Sequence, residues 1–560
     1  MRIPASLLSG VAGAVLAAIP LAFFGHGLRG FGGWTAPASL LIGTVLAALV
    51  WRWTPATPSP SPRSPWDWLL IVLFCCASGR AFFWLIYSDG DQWKILSPNN
   101  LGDLSLHLSL IRWLAGTVSW WPASPILAGD PLRYPPGSDL FNSLLLVAGV
   151  PVDRGLLWCG LGGAALTGVA LWRWGGAVAM AAFLFNGGFA GAVLLRGTDP
   201  DSVAEWKNLF LTLFVTQRGF LFALPAGLLL LSAWREEMLS AVRRPVLPLP
   251  VQALLLAVLP LFSVHAALFL GVVMSGLAVM VPGARKRMLS LAALSWPVMA
   301  LLGWLVTSGA GGPSALASVG WSPGWMSDGS LGFWFWNFGI VLPMTLLLCL
   351  VLLPRKRGTA LFVTVARAFV LSAALVFAAC LLIRFAPWPW DNTKLMLWSW
   401  LVVAPYLWSV LLERRPLVVR VAAVVLLFGS GVVTLLAGLD GRHGYVLIKR
   451  SSVDRAESLL RDLPPDEVIA CAPEFNHPVL LSGHPVVCGY EGHLWSHGLD
   501  YRKRLALLND IMNGREGWRE KARSLGVSRI YWSDLEAVRW PDSKLPWAKE
   551  VASPSLHRVE

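Results

Sequence analysis

The chain alternates long apolar runs with short polar connections, and the lengths of those runs set the first expectation. A helix crossing about 30 Å of hydrocarbon needs roughly 20 predominantly apolar residues. Runs of suitable length fall at about 5–25, 36–53, 66–88, 155–173, 176–195, 218–234, 289–307, 333–353, 362–384, 395–412 and 417–438. The stretch 251–282 is long enough for two short crossings that turn near Ser263-Val264-His265. The run 139–150 is too short to cross and ends at Pro151, so it reads as a partial or re-entrant segment. The pattern predicts an all-α polytopic membrane protein of about 13 transmembrane helices.

After Leu439 the pattern changes. Short β-rich runs (468–472, 479–481, 486–488 and 529–532) alternate with helical stretches at 453–463 and 502–512. Two domains follow: a membrane domain over 1–439 and a small extracytoplasmic α/β domain over 440–560. Cys471 and Cys488 fall in the second, where a disulfide and two buried strand thiols are equally compatible with the sequence.

Composition sharpens the picture. Only 14% of the 560 residues are charged, against about 25% in ordinary soluble domains, and mean hydropathy is +0.60, which excludes a soluble globular protein. Residues after Leu439 include 17 acidic and 17 basic side chains, so the net charge of +13 belongs to the apolar part. There it comes as short clusters between apolar runs: Arg243-Arg244, Arg285-Lys286-Arg287, Arg355-Lys356-Arg357 and Arg414-Arg415, with Arg52 and Arg63 upstream. Such clusters follow the positive-inside rule, not the contiguous basic face of a nucleic-acid binder. They place the N-terminus in the cytoplasm and the C-terminal domain outside, in a multi-pass protein of a cytoplasmic (inner) membrane. The loops 89–138, 196–217, 308–332 and 385–394 then also face outward.

Candidate chemistry gathers in those outer loops. In loop 89–138, residues 103–118 have helical spacing with Leu104, Leu108, Ile111 and Ala115 on one side, which predicts a helix lying along the membrane surface. Asp103 stands at its start, with His107 one turn later on the same face. Asp103 reads as an N-cap or as a reactive carboxylate. Asp89 and Asp91 are rivals in the same loop. In the next loop, Asp199 and Asp201 read as a solvated turn or as candidate ligands for a divalent cation. Most of the 31 tryptophans suit interface anchoring. Gly160-x-Gly162-x-x-Ala165 matches a dinucleotide fingerprint only formally, because it lies in an apolar helix and follows no strand. No P-loop, His-Glu-x-x-His or Gly-x-Ser-x-Gly motif occurs.

An acidic residue outside an early span, an interfacial helix, a turn from Gly116 to Trp121-Pro122, and Gly129-Asp130-Pro131-Leu132-Arg133-Tyr134-Pro135-Pro136 together resemble the first outer loop of GT-C-fold membrane glycosyltransferases. The resemblance continues at Thr216-Gln217-Arg218, at Trp390-Asp391-Asn392-Thr393-Lys394 and through Gly489-Tyr490 to Asp500-Tyr501, a stretch similar to one in a bacterial branch of that superfamily. It implies a polyprenyl-phosphate sugar donor and an acceptor met at the outer membrane face, with membrane lipid as the surrounding partner and no nucleic acid. It also implies Asp103 as base, with His107 and Asp91 as further catalytic candidates. Arg218 and Lys394 would meet the lipid phosphate. Arg133, Trp121, Tyr134, His265, Asp391, Tyr490 and His497 complete the candidate binding set. The cofactor stays open, a divalent cation on Asp199 and Asp201 being one option. The rival class is a transporter or flippase, or a non-catalytic binder, of a lipid-linked substrate; transporters commonly show repeated halves and broken helices meeting at the midplane, and no such repeat is visible.

Overall fold

The computed structural model describes residues 1–57, 60–62, 64–197, 206–240, 245–309, 318–324, 326, 330–353, 360–441, 444–549 and 553–559. Among these, eight helices are long and apolar enough to cross a membrane: Arg2–Gly25, Thr35–Trp53, Pro65–Phe83, Val152–Leu184, Pro282–Ser308, Leu361–Leu382, Pro389–Leu412 and Leu417–Leu439. A pair bent by 82°, Leu331–Phe338 and Val341–Leu352, brings the number to nine if taken as one span. The difference from about 13 has local causes. Helix Phe220–Leu239 carries Arg235, Glu236 and Glu237 in its last turns. The expected hairpin at 251–282 forms two shorter pieces, Leu249–Leu261 and Val264–Met280. Its turn is set where expected, because the Ser263 hydroxyl accepts the Ala266 N–H at 3.2 Å and starts the second helix.

The expected boundary between 155–173 and 176–195 is a kink inside Val152–Leu184. Gly176 adopts φ 57°, a conformation open to glycine, and the helical path resumes only to Leu184 before a 3₁₀ turn at Ala190–Arg196. Segment 139–150 forms helix Gly137–Val147, whose 11 residues reach about 16 Å and cannot cross.

Polar contacts mark two ends of the helical body. At one, Arg2 Nε donates to the Thr54 carbonyl at 2.8 Å, Arg173 pairs with Glu236 at 2.6 Å, and Arg287 pairs with Glu237 at 2.7 Å. The 24 residues of Arg2–Gly25 lead about 36 Å away to the other. There Arg29 Nε donates to the Ala115 carbonyl of the first long loop at 3.3 Å.

That loop is folded into the C-terminal unit. Strands Tyr87–Asp89 and Gln92–Ile95 form a hairpin, and Gln92–Ile95 pairs antiparallel with Tyr445–Lys449, matching Gln92 to Lys449 and Ile95 to Tyr445 across one bulge. Further on, Ile126 and Ala128 exchange backbone hydrogen bonds with Gly489 and Val487, and Arg504 pairs with Asp130 at 3.0 Å. The helix expected along the membrane surface exists, at Leu101–Gly116, but is not amphipathic in its burial: every residue from Leu104 to Ile111 is buried. It packs on Gly137–Val147 and on the C-terminal unit, whose presence makes both of its sides interior.

In the C-terminal unit, Val468–Ala470 runs parallel to Val527–Trp532, which pairs antiparallel with Ser555–Arg558. Helices occur at Arg450–Leu460 and Arg502–Met512. The expected strand 479–481 is instead a helical turn, Pro478–Leu481, because Pro478 sits at its first position and His477 Nδ1 accepts the Val479 N–H. Segment 486–488 makes only isolated bridges, Val486 to Ile469 and Cys488 to Leu127. Cys471 and Cys488 are free, buried thiols, so the disulfide option is not realised.

A buried brace holds this unit together. Glu536 accepts from His477 Nε2 at 2.9 Å, from the Ala472 N–H at 2.7 Å and from the Ser533 hydroxyl at 2.5 Å, and neither Glu536 nor His477 has exposed surface. Burial alone would raise the Glu536 carboxyl, but His477 and these donors outweigh it and hold the carboxyl below its usual range. Replacing Glu536 by alanine strands the His477 ring and costs about 3 kcal/mol, so hydrogen exchange of the Val468–Ala470 and Val527–Trp532 amides should speed up on the order of a hundredfold. The lowered carboxyl stabilises the unit above the ordinary glutamate value of about 4.3, and that contribution disappears as pH falls through the folded-state value. Unchanged exchange in Glu536→Ala at pH 7 would contradict the brace.

Candidate functional site

At the loop end of the helical body, the span ends and the outer unit enclose a cavity of about 230 Å³. Each wall has a sequence reason. Asp103 is in the first turn of Leu101–Gly116, whose N-cap position is Asn100, so it is not a cap. Its Oδ1 accepts from Gln217 Nε2 at 3.1 Å, and both residues line the cavity. Gly219 lets that segment close on the hairpin turn, since a Cβ there would lie 1.9 Å from the Phe262 carbonyl oxygen. Ser263, Val264 and His265 form the adjoining wall. The 3₁₀ turn Pro389–Asn392 leads into the next helix and presents Asp391 and, one turn later, Lys394, paired at 3.0 Å. Arg133, Tyr134 and Pro135 come from the end of the first loop, and Ser496 and His497 form part of the roof.

Cations and carboxylates share this space. Arg133 donates to Asp130 at 2.8 Å, and Asp130 is also held by Arg504, which ties the loop end to the outer unit. The Tyr134 ring lies 5.2 Å from His497 and 6.1 Å from His107. Burial, with Asp139 and Asp103 adding to it, pushes the Tyr134 phenol well up, so it stays a neutral hydroxyl. Burial and then the neighbouring His493, stacked 6.5 Å away, pull His497 down to about 3. Both rings are therefore uncharged near neutrality, and the formal charges on the cavity wall are those of Asp103, Asp391, Arg133 and Lys394.

The structure thus brings Asp103, Arg133, Tyr134, His265, Asp391, Lys394 and His497 to one cavity. Five other sequence candidates stand elsewhere. Asp91 is exposed and accepts from the Ser451 N–H at 2.9 Å and hydroxyl at 2.5 Å, which makes it a tie to the outer unit. His107 is 1% exposed and its Nδ1 bonds Asp139 at 2.8 Å, so it does not reach the cavity as a catalytic group. Arg218 is 1% exposed and is not among the cavity-lining residues, which include its neighbours Gln217 and Gly219. Trp121 is half-buried and spends its indole N–H on the Leu132 carbonyl at 2.7 Å. Tyr490 is on the outer surface, 40% exposed, against Phe475 and His493. Asp199 and Asp201 lie outside the described residues. Among the described residues, no group of three or more His, Cys, Asp or Glu side chains is placed to hold a metal ion.

Sequence reasoning missed Asp139, Ser263, Thr307 and Ser496. Asp139 had a signal: a lone acid in the first turn of an otherwise apolar run after Pro135-Pro136, where burial demands a partner. Thr307 and Ser496 had none, because a hydroxyl at a helix end is ordinary.

No protein-family model matches the chain, and no curated protein matches it by sequence. Among solved structures, it is similar to an oligosaccharyltransferase of Archaeoglobus fulgidus tethered to an acceptor peptide containing the NVT sequon, with 11% identity and a TM-score of 0.49 over 89% of this chain and 74% of that one. The apo form of that enzyme gives 11% and 0.48 over the same shares. The archaeal oligosaccharyltransferase AglB of Archaeoglobus fulgidus, in complex with an inhibitory peptide and a dolichol-phosphate, gives 12% and 0.41 over 88% and 74%. These values describe a partial likeness in the path of the chain.

The buried roof generates a pH prediction. In protein with labelled histidines, the His497 ring should keep the signature of a neutral imidazole from pH 8 to pH 5. A histidine lowered on folding stabilises the fold above about 6.5, its unfolded value, and that contribution is lost as acid protonates the unfolded chain. A resonance that titrates with a midpoint between pH 5 and 8 would show the ring to be solvated.

Proposed function

We propose that the chain is a GT-C-type membrane glycosyltransferase that moves a sugar from a polyprenyl-phosphate donor to an acceptor at the outer face of a bacterial cytoplasmic membrane. The observation that carries the reading is the meeting of the Asp103 carboxylate with Lys394 and Arg133 in one cavity at the ends of apolar membrane helices. In the proposed reaction the acceptor hydroxyl loses its proton to Asp103. A bond forms from that oxygen to the anomeric carbon, while the bond from this carbon to the phosphate oxygen breaks. Lys394 and Arg133 offset the charge that the departing polyprenyl phosphate gains, in a site screened from bulk water. Trp388 lines the same cavity and offers an aromatic face to the sugar.

Arg52, Arg285-Lys286-Arg287 and Arg414-Arg415 sit at helix ends remote from the cavity, which supports a cytoplasmic N-terminus and an external C-terminal unit. The bent pair Leu331–Phe338 and Val341–Leu352 contributes no residue to the cavity wall.

The test uses the full chain in lipid nanodiscs with a panel of radiolabelled polyprenyl-phosphate sugars and a membrane extract as acceptor source. Asp103→Asn should lower turnover about 10²- to 10⁴-fold. Lys394→Met should raise the donor KM about tenfold or more, through loss of a charge-assisted contact to phosphate. A chelation arm reports whether a divalent cation is needed, with Asp199 and Asp201 its proposed ligands. Binding of a donor without turnover, identical in wild type and Asp103→Asn, would replace the enzyme by a non-catalytic binder.

A further inference from the structure

Near Asp103, and not among the residues that line the cavity, three ionisable side chains are shut inside the protein. His107, Asp139 and Arg218 are each 1% exposed. They come from three segments: the loop helix Leu101–Gly116, the short helix Gly137–Val147 and the approach to helix Phe220–Leu239. The segments are stitched by directed bonds. His107 Nδ1 faces both Asp139 oxygens, at 2.8 and 3.0 Å, and a carboxylate only accepts, so the imidazole donates from Nδ1. The Ser138 hydroxyl donates to the Arg218 carbonyl at 2.9 Å, and Gln217, the residue before Arg218, donates to Asp103 at 3.1 Å.

The guanidinium itself is the unusual member. Its Nε, Nη1 and Nη2 are all buried and have no hydrogen-bond partner among the described residues. An arginine never sheds its proton in a protein, so the charge must be balanced by neighbours, or burial would cost several kcal/mol. The groups within electrostatic reach are Asp139, Asp103, the Tyr134 phenol and the Cys159 thiol, of which the two carboxyl groups are the counter-charges available to a cation. One of them, Asp139, is already engaged by His107. The other is the carboxylate that lines the cavity.

We infer that His107, Asp139 and Arg218 form a buried charge-compensating cluster that holds the Asp103 carboxylate ionised and turned into the cavity. They are positioning residues and touch no substrate. The inference rests on the reading of Asp103 as the base, and it assigns to Arg218 a part different from contact with the lipid phosphate. His107 Nδ1 anchors Asp139, and the guanidinium, within electrostatic reach of Asp139 and Asp103, favours the carboxylate form of Asp103. Tyr134 and His493 are the other titratable groups that face Asp103, and both are uncharged near pH 7 because burial disfavours their charged forms.

The test has one readout that does not need turnover. A hydrophobic carbodiimide adds to a protonated carboxyl in an apolar setting, so labelling of Asp103 at pH 7, measured by peptide mass spectrometry on the full chain in nanodiscs, reports its protonation. Labelling should be low in wild type and in Arg218→Lys, which keeps the charge, and should rise about fivefold or more in Arg218→Gln. The second readout is kinetic. Arg218→Gln and Asp139→Asn should each lower kcat about a hundredfold, with the donor KM changed less than about threefold, since neither residue meets the donor. Each single variant also strands a buried charge and should lower the thermal midpoint. The double variant Arg218→Gln/Asp139→Asn removes opposite charges together and should recover most of that midpoint, yet keep the low kcat. Unchanged labelling in Arg218→Gln, or a double variant with wild-type stability and wild-type kcat, overturns the inference. If wild type consumes no donor while the labelling difference is intact, the proposed function fails and the hold of the cluster on Asp103 is shown all the same.

Discussion

A carboxylate and a histidine at the rim of a membrane are tolerable only in company, and the bond between His107 Nδ1 and Asp139 supplies that company at 2.8 Å. It joins the loop helix to the short helix that follows the loop, beside the bond that the Ser143 hydroxyl donates to the Ile111 carbonyl at 2.8 Å. Once Leu101–Gly116 is fixed on Gly137–Val147, Asp103 in its first turn has one place to point. Gln217 donates to it at 3.1 Å and lines the cavity beside it. A polar bond of this kind is worth little in net stability but specifies one arrangement, because leaving either partner unpaired in a dry setting is costly.

The cavity is built by division of labour. The span ends supply apolar walls and Lys394, the end of the first loop brings Arg133, and the C-terminal unit closes the top with Ser496 and His497. That roof stays in place because the first loop contributes strands to the sheet of Tyr445–Lys449 and backbone bonds to Val487 and Gly489. The exposed Asp91 and the ion pair of Arg504 with Asp130 belong to this suture. Two stretches more than 300 residues apart in sequence thus make one folded body, and the cavity sits at its seam with the helical body.

Much of this was legible along the chain. Apolar run lengths located the spans, the hairpin turn at Ser263, the short segment before Pro151 and the change of character after Leu439, since each depends on composition within one element. Among the residues that line the cavity, Asp103, Arg133, Tyr134, His265, Asp391, Lys394 and His497 were named beforehand, from loop position together with the resemblance to GT-C-fold enzymes. The misreadings have two causes, one distant and one local. Leu101–Gly116 carries an amphipathic pattern suited to a membrane surface, and its polar side is nevertheless buried because a distant domain lies on it. The expected strand at 479–481 became a helical turn because Pro478 and His477 act locally before any sheet partner can.

By itself, the sequence determined that the chain is a multi-helical membrane protein with a more polar C-terminal stretch and an acidic, aromatic first long loop, because hydrophobicity and charge act residue by residue. Only the tertiary structure decided which charges meet. That Asp103 faces a cavity with Lys394 while His107, its neighbour one turn on, faces inward to Asp139 depends on helices packed from distant parts of the chain. Burial and pairing are properties of neighbours in space, and the same histidine or arginine reads alike in sequence whether it lines a site or supports one from behind.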